Sequence, residues 1–201
     1  MLSSPGMAVL VHGDRIVRRH GVSWAEYERV LARRGERRGP RITYLEGELE
    51  LLSPGFDHES IASLIGHLLE SYCLDRDIEL MPLGSWTIKR KQVLRGAEAD
   101  ECYVFGVRRV RPKRPDLAIE VAWSRGGIDK LEVWRKLGVR EVWIWRRERL
   151  QAFRLRGETY HEVSSSRFVP ELDLQLLVRF LDRPTLNQAI RDFRAALGRK
   201  A

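Results

Sequence analysis

Residues 114–146, RPDLAIEVAWSRGGIDKLEVWRKLGVREVWIWR, decide the fold class. From Leu117 onward the side chains alternate with period two, so large apolar residues share one face of a predicted strand. Ala118, Glu120 and Ala122 share the other face. A single carboxylate between two alanines indicates a strand that forms the floor of a small polar pocket.

A helix is predicted next, over residues 127–137. At about 100° per residue its apolar side chains share one arc, and Lys130 lies inside that arc. A lysine on an apolar arc is costly unless it is paired. Residues 141–145 then form a short apolar run typical of a buried strand. Strand, helix and strand together predict a parallel pair with a helical crossover.

Length and composition limit the class of protein. The 201 residues suit one domain with terminal additions. No segment is apolar enough to span a membrane, and the first residues lack the features of a secretory signal. Cys73 and Cys102 lie far apart without metal-ligand spacing, which favours a reduced, cytoplasmic chain. The net charge of +8 fits a polyanionic partner, although many basic proteins bind none.

The N-terminal third contains a loose arm, a helix, a hairpin and a second helix in this interpretation. Residues 1–20 have mixed character and are expected to form the arm. Residues 41–53 predict a hairpin around a Glu46–Gly47 turn. The helix after it begins near Asp57, with His58 and Glu59 in its first turn. These two residues could belong to a site or merely serve the helix N-terminus.

The acidic residues suggest metal-assisted phosphodiester hydrolysis, because two carboxylates can hold a hard divalent cation beside a lysine. Glu120 is one candidate ligand. Asp116 shares its face, but four residues along a strand span roughly 13 Å, which is too far for one ion. The second ligand must therefore come from another strand, and Asp100 opens the preceding one. A third acidic group could be Glu59 or Asp57, with His58 next to it.

Several segments in this order resemble the Uma-type endonucleases of the PD-(D/E)XK nuclease superfamily: LEGELELLSP, DHESI, ADECYVF, RPDLAIEV and LGVREVWIW. The resemblance covers about residues 23–180. It implies an α/β, restriction-endonuclease-like fold with a mixed central sheet flanked by helices, an N-terminal hairpin and a C-terminal helical extension. The corresponding units are an arm (1–20), the nuclease-like domain (21–180) and a C-terminal helix (181–201).

The same resemblance implies that Asp100, Glu120 and Lys130 surround Mg²⁺ or Mn²⁺. Two positions depart from the family pattern. Ala122 stands where the lysine is usual, and Ala99 stands where a proline is common. The first departure is compensated if Lys130 reaches the site from the helix.

The predicted function is therefore metal-dependent endonuclease action on DNA, with His58 and Glu59 as further catalytic candidates. The alternative is a catalytically inactive protein of the same fold that binds DNA or regulates a partner. The loop before the Glu120 strand carries Arg108, Arg109, Arg111 and Lys113, expected either to contact DNA or to be solvated surface. No membrane partner is expected, and a homodimer is left open.

Overall fold

The computed structural model describes residues 7–11, 13–35, 37, 39–107, 110–123 and 127–198, with the backbone alone for 7–11. These residues form twelve β-strands and five α-helices, an α/β architecture. No helix in these ranges is both long and apolar enough to cross a membrane.

The elements follow one another along the chain without internal repetition. The strands are β1 (Met7–Val11), β2 (Asp14–Arg19), β3 (Arg41–Leu45), β4 (Glu48–Ser53), β5 (Leu80–Pro82), β6 (Thr87–Arg90), β7 (Arg95–Glu98), β8 (Glu101–Phe105), β9 (Leu117–Val121), β10 (Glu141–Arg146), β11 (Arg149–Arg156) and β12 (Thr159–Val163). The helices are α1 (Trp24–Arg34), α2 (Phe56–Asp75), α3 (Lys130–Leu137), α4 (Leu174–Val178) and α5 (Leu186–Ala196).

The described strands form two six-stranded sheets, ordered β1-β2-β4-β3-β7-β6 and β12-β11-β10-β9-β8-β5. The first sheet is antiparallel throughout. The second is mixed, because β9 and β10 run parallel while its other neighbours are antiparallel. The parallel pair predicted from the sequence is therefore confirmed, with α3 in the crossover between the two strands.

Strand β9 lies inside the mixed sheet and is buried along its whole length. Leu117, Ile119 and Val121 pack into a core shared with α2, α4 and α5, whereas Ala118 packs into the core on the α3 side. The period-two alternation is therefore confirmed. Helices cover both faces of this sheet, which buries the functional face of β9 under α3.

The sequence suggested a loose arm over residues 1–20, but part of this segment forms two paired strands. Strands β1 and β2 form a hairpin that extends the antiparallel sheet beyond β4. The chain turns at Gly13, whose φ of 82° is easily adopted by glycine. The apolar run before this turn and the alternating residues after it gave a strand signal that the sequence interpretation overlooked.

The crossover helix α3 starts at Lys130 rather than near residue 127. Asp129 caps it, because its side chain accepts a hydrogen bond from the amide of Glu132. Lys130 is therefore the first helical residue, which aims its side chain back toward the first sheet.

Candidate active site

Asp100 and Glu120 lie close together where the start of β8 meets β9. The amide of Asp100 donates to the carbonyl of Ile119 at 3.2 Å, and the amide of Val121 donates to Asp100 Oδ2 at 2.6 Å. Asp100 is therefore hydrogen-bonded to the residues on both sides of Glu120. Each of the two acidic residues is only 3% exposed, so their charges are little screened by solvent.

The carboxyl group of Glu120 is held between an indole and an ammonium group. Trp134 Nε1 donates to Oε1 at 2.7 Å, and Lys130 Nζ lies 3.5 Å from Oε2. Burial raises the pKa of Glu120 to about 7; the charge of Lys130 opposes this rise and that of Asp100 adds to it. Glu120 is consequently poised to exchange a proton near neutral pH in the absence of a bound cation.

Lys130 points into the protein, and its side chain is 17% exposed. Its Nζ donates to Thr43 Oγ1 at 2.7 Å, which links α3 to the antiparallel sheet. Burial acts to lower the pKa of Lys130, but the charges of Glu120, Glu50 and Asp100 outweigh it, so the pKa is raised. The lysine therefore stays charged.

Asp100 is surrounded by cationic groups. His58 Nε2 lies 3.0 Å from Oδ2, and Arg41 Nε lies 3.2 Å from Oδ1. Burial acts to raise the pKa of Asp100, but the hydrogen bond and charge of His58, followed by the charge of Arg41, lower it below its usual value. Asp100 is therefore ionised at neutral pH.

His58 bridges two carboxylates. Its Nδ1 lies 2.7 Å from Asp14 Oδ2, and only 1% of the residue is exposed. Burial acts to lower the pKa of His58, but Asp100 and then Asp14 raise it. The amide of Gly55 also donates to Asp14 Oδ1 at 2.7 Å. A Cβ on Gly55 would lie 2.7 Å from the carbonyl carbon of Gly13, so this close approach requires glycine.

Glu59 reaches the site only indirectly. It pairs with Arg41 at 3.0 Å, and its side chain is 55% exposed. Arg41 in turn contacts Asp100. Glu59 is therefore linked to Asp100 through Arg41, whereas His58 contacts Asp100 directly.

A cavity of about 390 Å³ opens onto Glu120 and Lys130. Its remaining polar and charged walls come from Asp14, Arg18, Glu50, His58, Asp129 and Arg146. Within it, Arg18 Nε binds Glu50 Oε2 at 2.8 Å. The cavity thus joins β2 and β4 of the first sheet to β9 and α3.

Sequence reasoning missed Asp14, Arg41, Thr43, Glu50 and Trp134. Four of them come from the antiparallel sheet, and the packing of that sheet against β9 and α3 involves residues far apart in the sequence. Glu50 and Thr43 did carry a signal, since both are polar residues in the interior of the predicted hairpin. Both prove to be almost fully buried.

The basic loop can be described only in part. Arg108 and Arg109 lie outside the described residues. Arg111 and Lys113 are exposed, and the guanidinium carbon of Arg111 lies 6.0 Å from the ring centre of Trp86. Their role as DNA contacts stays a prediction.

Asp100 and Glu120 are the two residues whose chemistry suits a divalent cation. Asp100 Oδ1 is buried and accepts no hydrogen bond from any described residue, although Arg41 Nε lies 3.2 Å from it. Glu120 Oε2 is the oxygen that faces Lys130. Carboxylate oxygens suit hard cations, which retain water as further ligands. Among the described residues no group of three or more His, Cys, Asp and Glu side chains could hold a metal ion, so water would have to supply the remaining ligands.

The chain resembles known proteins both in its structure and in its sequence. A crystal structure from Anabaena variabilis ATCC 29413, described as a "putative nuclease belonging to DUF820", superimposes with a TM-score of 0.50 at 15% identity, covering 77% of this chain and 92% of that one. This similarity shows that the two chains share their fold, in agreement with the α/β class expected from the sequence. Residues 24–185 match the sequence profile Uma2, described as "Putative restriction endonuclease". The chain belongs to the Uma2 family.

The family match confirms the resemblance inferred from the sequence motifs. No curated protein matches this chain. The match begins at residue 24, so β1 and β2 precede it, although Asp14 of β2 contacts His58. The division into three units at residues 20 and 180 stays a prediction.

Proposed function

We propose that the protein is a metal-dependent endonuclease that hydrolyses DNA phosphodiester bonds at a site formed by Asp100, Glu120 and Lys130. One observation carries the proposal. Lys130 Nζ lies 3.5 Å from the carboxylate of Glu120, while Asp100 is bonded to the residues on both sides of Glu120. The nuclease descriptions of the family and of the structural neighbour support the same reaction class.

Phosphodiester hydrolysis requires neutralisation of the phosphate charge, an activated water and a stabilised leaving oxygen. Asp100 and Glu120 would hold Mg²⁺ or Mn²⁺, which would supply a Lewis acid and lower the pKa of water. Lys130 carries three N–H donors, of which one binds Thr43. Its other donors can orient the attacking water or a phosphate oxygen. Trp134 fixes the opposite oxygen of Glu120, so the carboxylate keeps one orientation.

His58 and Arg41 act as positioning residues in this proposal. Both keep Asp100 ionised, and His58 fixes its Oδ2 atom together with the amide of Val121. Asp14 holds His58 from the other side of the ring. Glu59 orients Arg41 and does not contact the two proposed metal ligands.

A non-cutting DNA-binding or regulatory protein is the second candidate, and one feature of the site favours it. Asp100 already has a cationic group beside each oxygen, namely His58 and Arg41. A carboxylate neutralised in this way has less to gain from a metal ion. The basic surface would then bind phosphates without any cleavage.

A plasmid-nicking assay separates the two candidates. Purified protein is incubated with supercoiled plasmid in Mg²⁺, in Mn²⁺ and in chelator, with Glu120→Gln prepared in parallel. We expect metal-dependent nicking that falls by orders of magnitude in the variant, because metal stabilisation contributes several kcal/mol and about 1.4 kcal/mol is tenfold in rate. Plasmid binding without nicking in any metal would favour the second candidate.

The partner and assembly state follow as proposals. DNA is the proposed substrate. Its phosphate backbone is proposed to contact Arg111 and Lys113, and also Arg108 and Arg109, which lie outside the described residues. A homodimer stays a prediction, which light scattering after size-exclusion chromatography tests at several protein concentrations. A mass of 23.4 kDa at every concentration would exclude it.

A further inference from the structure

A second cleft, of about 990 Å³, lies beside the candidate active site. Its walls come from the end of α1, the start of β3, the strands β6 and β7, and the loop before β9. Arginine side chains dominate its lining together with one indole: Arg34, Arg37, Arg41, Arg111 and Trp86. This composition matches an anionic ligand that also carries an aromatic group.

The four arginines differ in the partners they already have. Arg34 holds the buried carboxylate of Glu98 through two nitrogens, each at 2.5 Å. Arg41 is paired with carboxylates of the active site. Arg37 and Arg111 are exposed, and neither forms an ion pair with another described residue. These two guanidinium groups can therefore bind a ligand without breaking an existing ion pair.

Trp86 stands between this cleft and a smaller cavity of about 340 Å³, which Leu83, Pro112 and Arg111 also line. The guanidinium carbon of Arg111 lies 6.0 Å from the Trp86 ring centre. An aromatic and apolar wall beside an exposed guanidinium fits the two parts of a nucleotide. The base can stack on the indole while its phosphate meets the arginine.

The cleft is separated from the active site by one side chain. Arg41 lines the cleft, and its Nε atom lies 3.2 Å from Asp100 Oδ1. Glu59, which binds Arg41, lines the cleft as well. A strand held in the cleft would therefore pass within one side chain of the proposed metal ligands.

We propose that this cleft binds a single-stranded segment of DNA, with a base against Trp86 and phosphates on Arg37 and Arg111. The substrate class would then be DNA that carries unpaired nucleotides next to the cleaved bond. This inference rests on the proposed function, because it names the substrate class of the same site. Single strands fit better than duplex, since in a duplex the base faces are covered by their stacked neighbours.

The test is a binding titration by fluorescence anisotropy in chelator, where cleavage does not interfere. The probes are a labelled single strand of about a dozen nucleotides and its duplex. We expect tighter binding of the single strand and a roughly tenfold loss in Trp86→Ala, with Trp86→Phe retaining most of the affinity because it keeps an aromatic face. Arg37→Ala and Arg111→Ala should each reduce the salt slope by about 0.7.

The control is Arg156→Ala, which removes the same charge from an exposed position at the end of β11. It should bind single strands like the unmodified protein. Because Trp86 also packs against the core, a thermal melt accompanies its variants, and the two exposed arginines test the cleft independently. Equal affinity for duplex, or arginine variants that bind like the control, would overturn the inference. Such a result would leave nicking by the unmodified protein unaffected, so the proposed function is judged separately.

Discussion

Replacing Glu120 by glutamine tests the electrostatics of the site through stability rather than through cleavage. Glutamine has the shape of the neutral acid, and its side-chain oxygen can still accept the hydrogen bond from Trp134 Nε1. It differs from glutamate only when the acid is ionised. The difference in unfolding free energy between the variant and the unmodified protein should therefore change with pH.

The size of this change follows from the pKa of Glu120, which burial raises from 4.5 to about 7. A carboxyl group with a raised folded-state pKa stabilises the fold below its unfolded pKa, and this contribution is lost as the pH rises through the folded pKa. At about 1.4 kcal/mol per pKa unit, the unfolding free energy of Glu120→Gln should exceed that of the unmodified protein by about 1 kcal/mol at pH 5 and by about 3 kcal/mol at pH 8. The pairing with Lys130 needs no separate allowance, because the charge of Lys130 already lowers the pKa of Glu120 and the lysine stays charged throughout.

The assay is urea unfolding at several pH values between 5 and 8, in chelator so that no cation binds Glu120. Glu162→Gln is the matched control, because it makes the same change at an exposed position of the edge strand β12. A difference for Glu120→Gln that stays constant with pH would refute the reasoning. It would mean that Glu120 ionises like an acid in water.

Three further substitutions test other contacts. Asp14→Asn removes the charge that faces His58 and should lower the unfolding free energy by about 2 kcal/mol, because hydrogen bonds between charged groups contribute roughly 1.5–3 kcal/mol; an unchanged urea midpoint at pH 7 would argue against this contact. Glu98→Ala leaves the guanidinium of Arg34 without its carboxylate partner and should cost about 3–5 kcal/mol, as measured by denaturant unfolding; a loss below about 1 kcal/mol, the range of surface pairs, would contradict burial of the pair. Burial, followed by the charge of Glu70, raises the pKa of Glu101 to about 7. At pH 8 Glu101→Gln should therefore be more stable than the unmodified protein, by about 1 kcal/mol after allowing for solvent screening of this half-buried group, whereas at pH 5 the two proteins should melt at nearly the same temperature. Equal melting temperatures at both pH values would show that the pKa of Glu101 is not perturbed.

The mixed sheet could be predicted because its signals are local. The alternation along residues 117–123 follows from the geometry of one strand, and the arc that contains Lys130 follows from the geometry of one helix. Buried apolar residues on one face of β9 and small residues on the other bear out this alternation. Each signal is complete within about ten residues, so no long-range information was needed.

The antiparallel sheet was harder to predict because its role depends on long-range contacts. Arg41 and Asp14 contact Asp100 and His58 across separations of more than forty residues, which no periodicity encodes. The same limitation explains why residues 1–20 were interpreted as an arm. Strand β2 joins the antiparallel sheet by pairing with β4, and β1 joins it by pairing with β2.

The most direct test of the account is a single-turnover cleavage rate for Lys130→Met beside Lys136→Met. Lys136 lies on the same helix, but its Nζ is 3.8 Å from the exposed carboxylate of Glu158, away from Glu120. With Mg²⁺ or Mn²⁺ and excess enzyme, we expect Lys130→Met to slow cleavage by roughly a hundredfold or more, the range for a group that orients or activates water. Lys136→Met should cleave at nearly the unmodified rate. Cleavage by Lys130→Met that matches Lys136→Met would contradict the assignment of the active site.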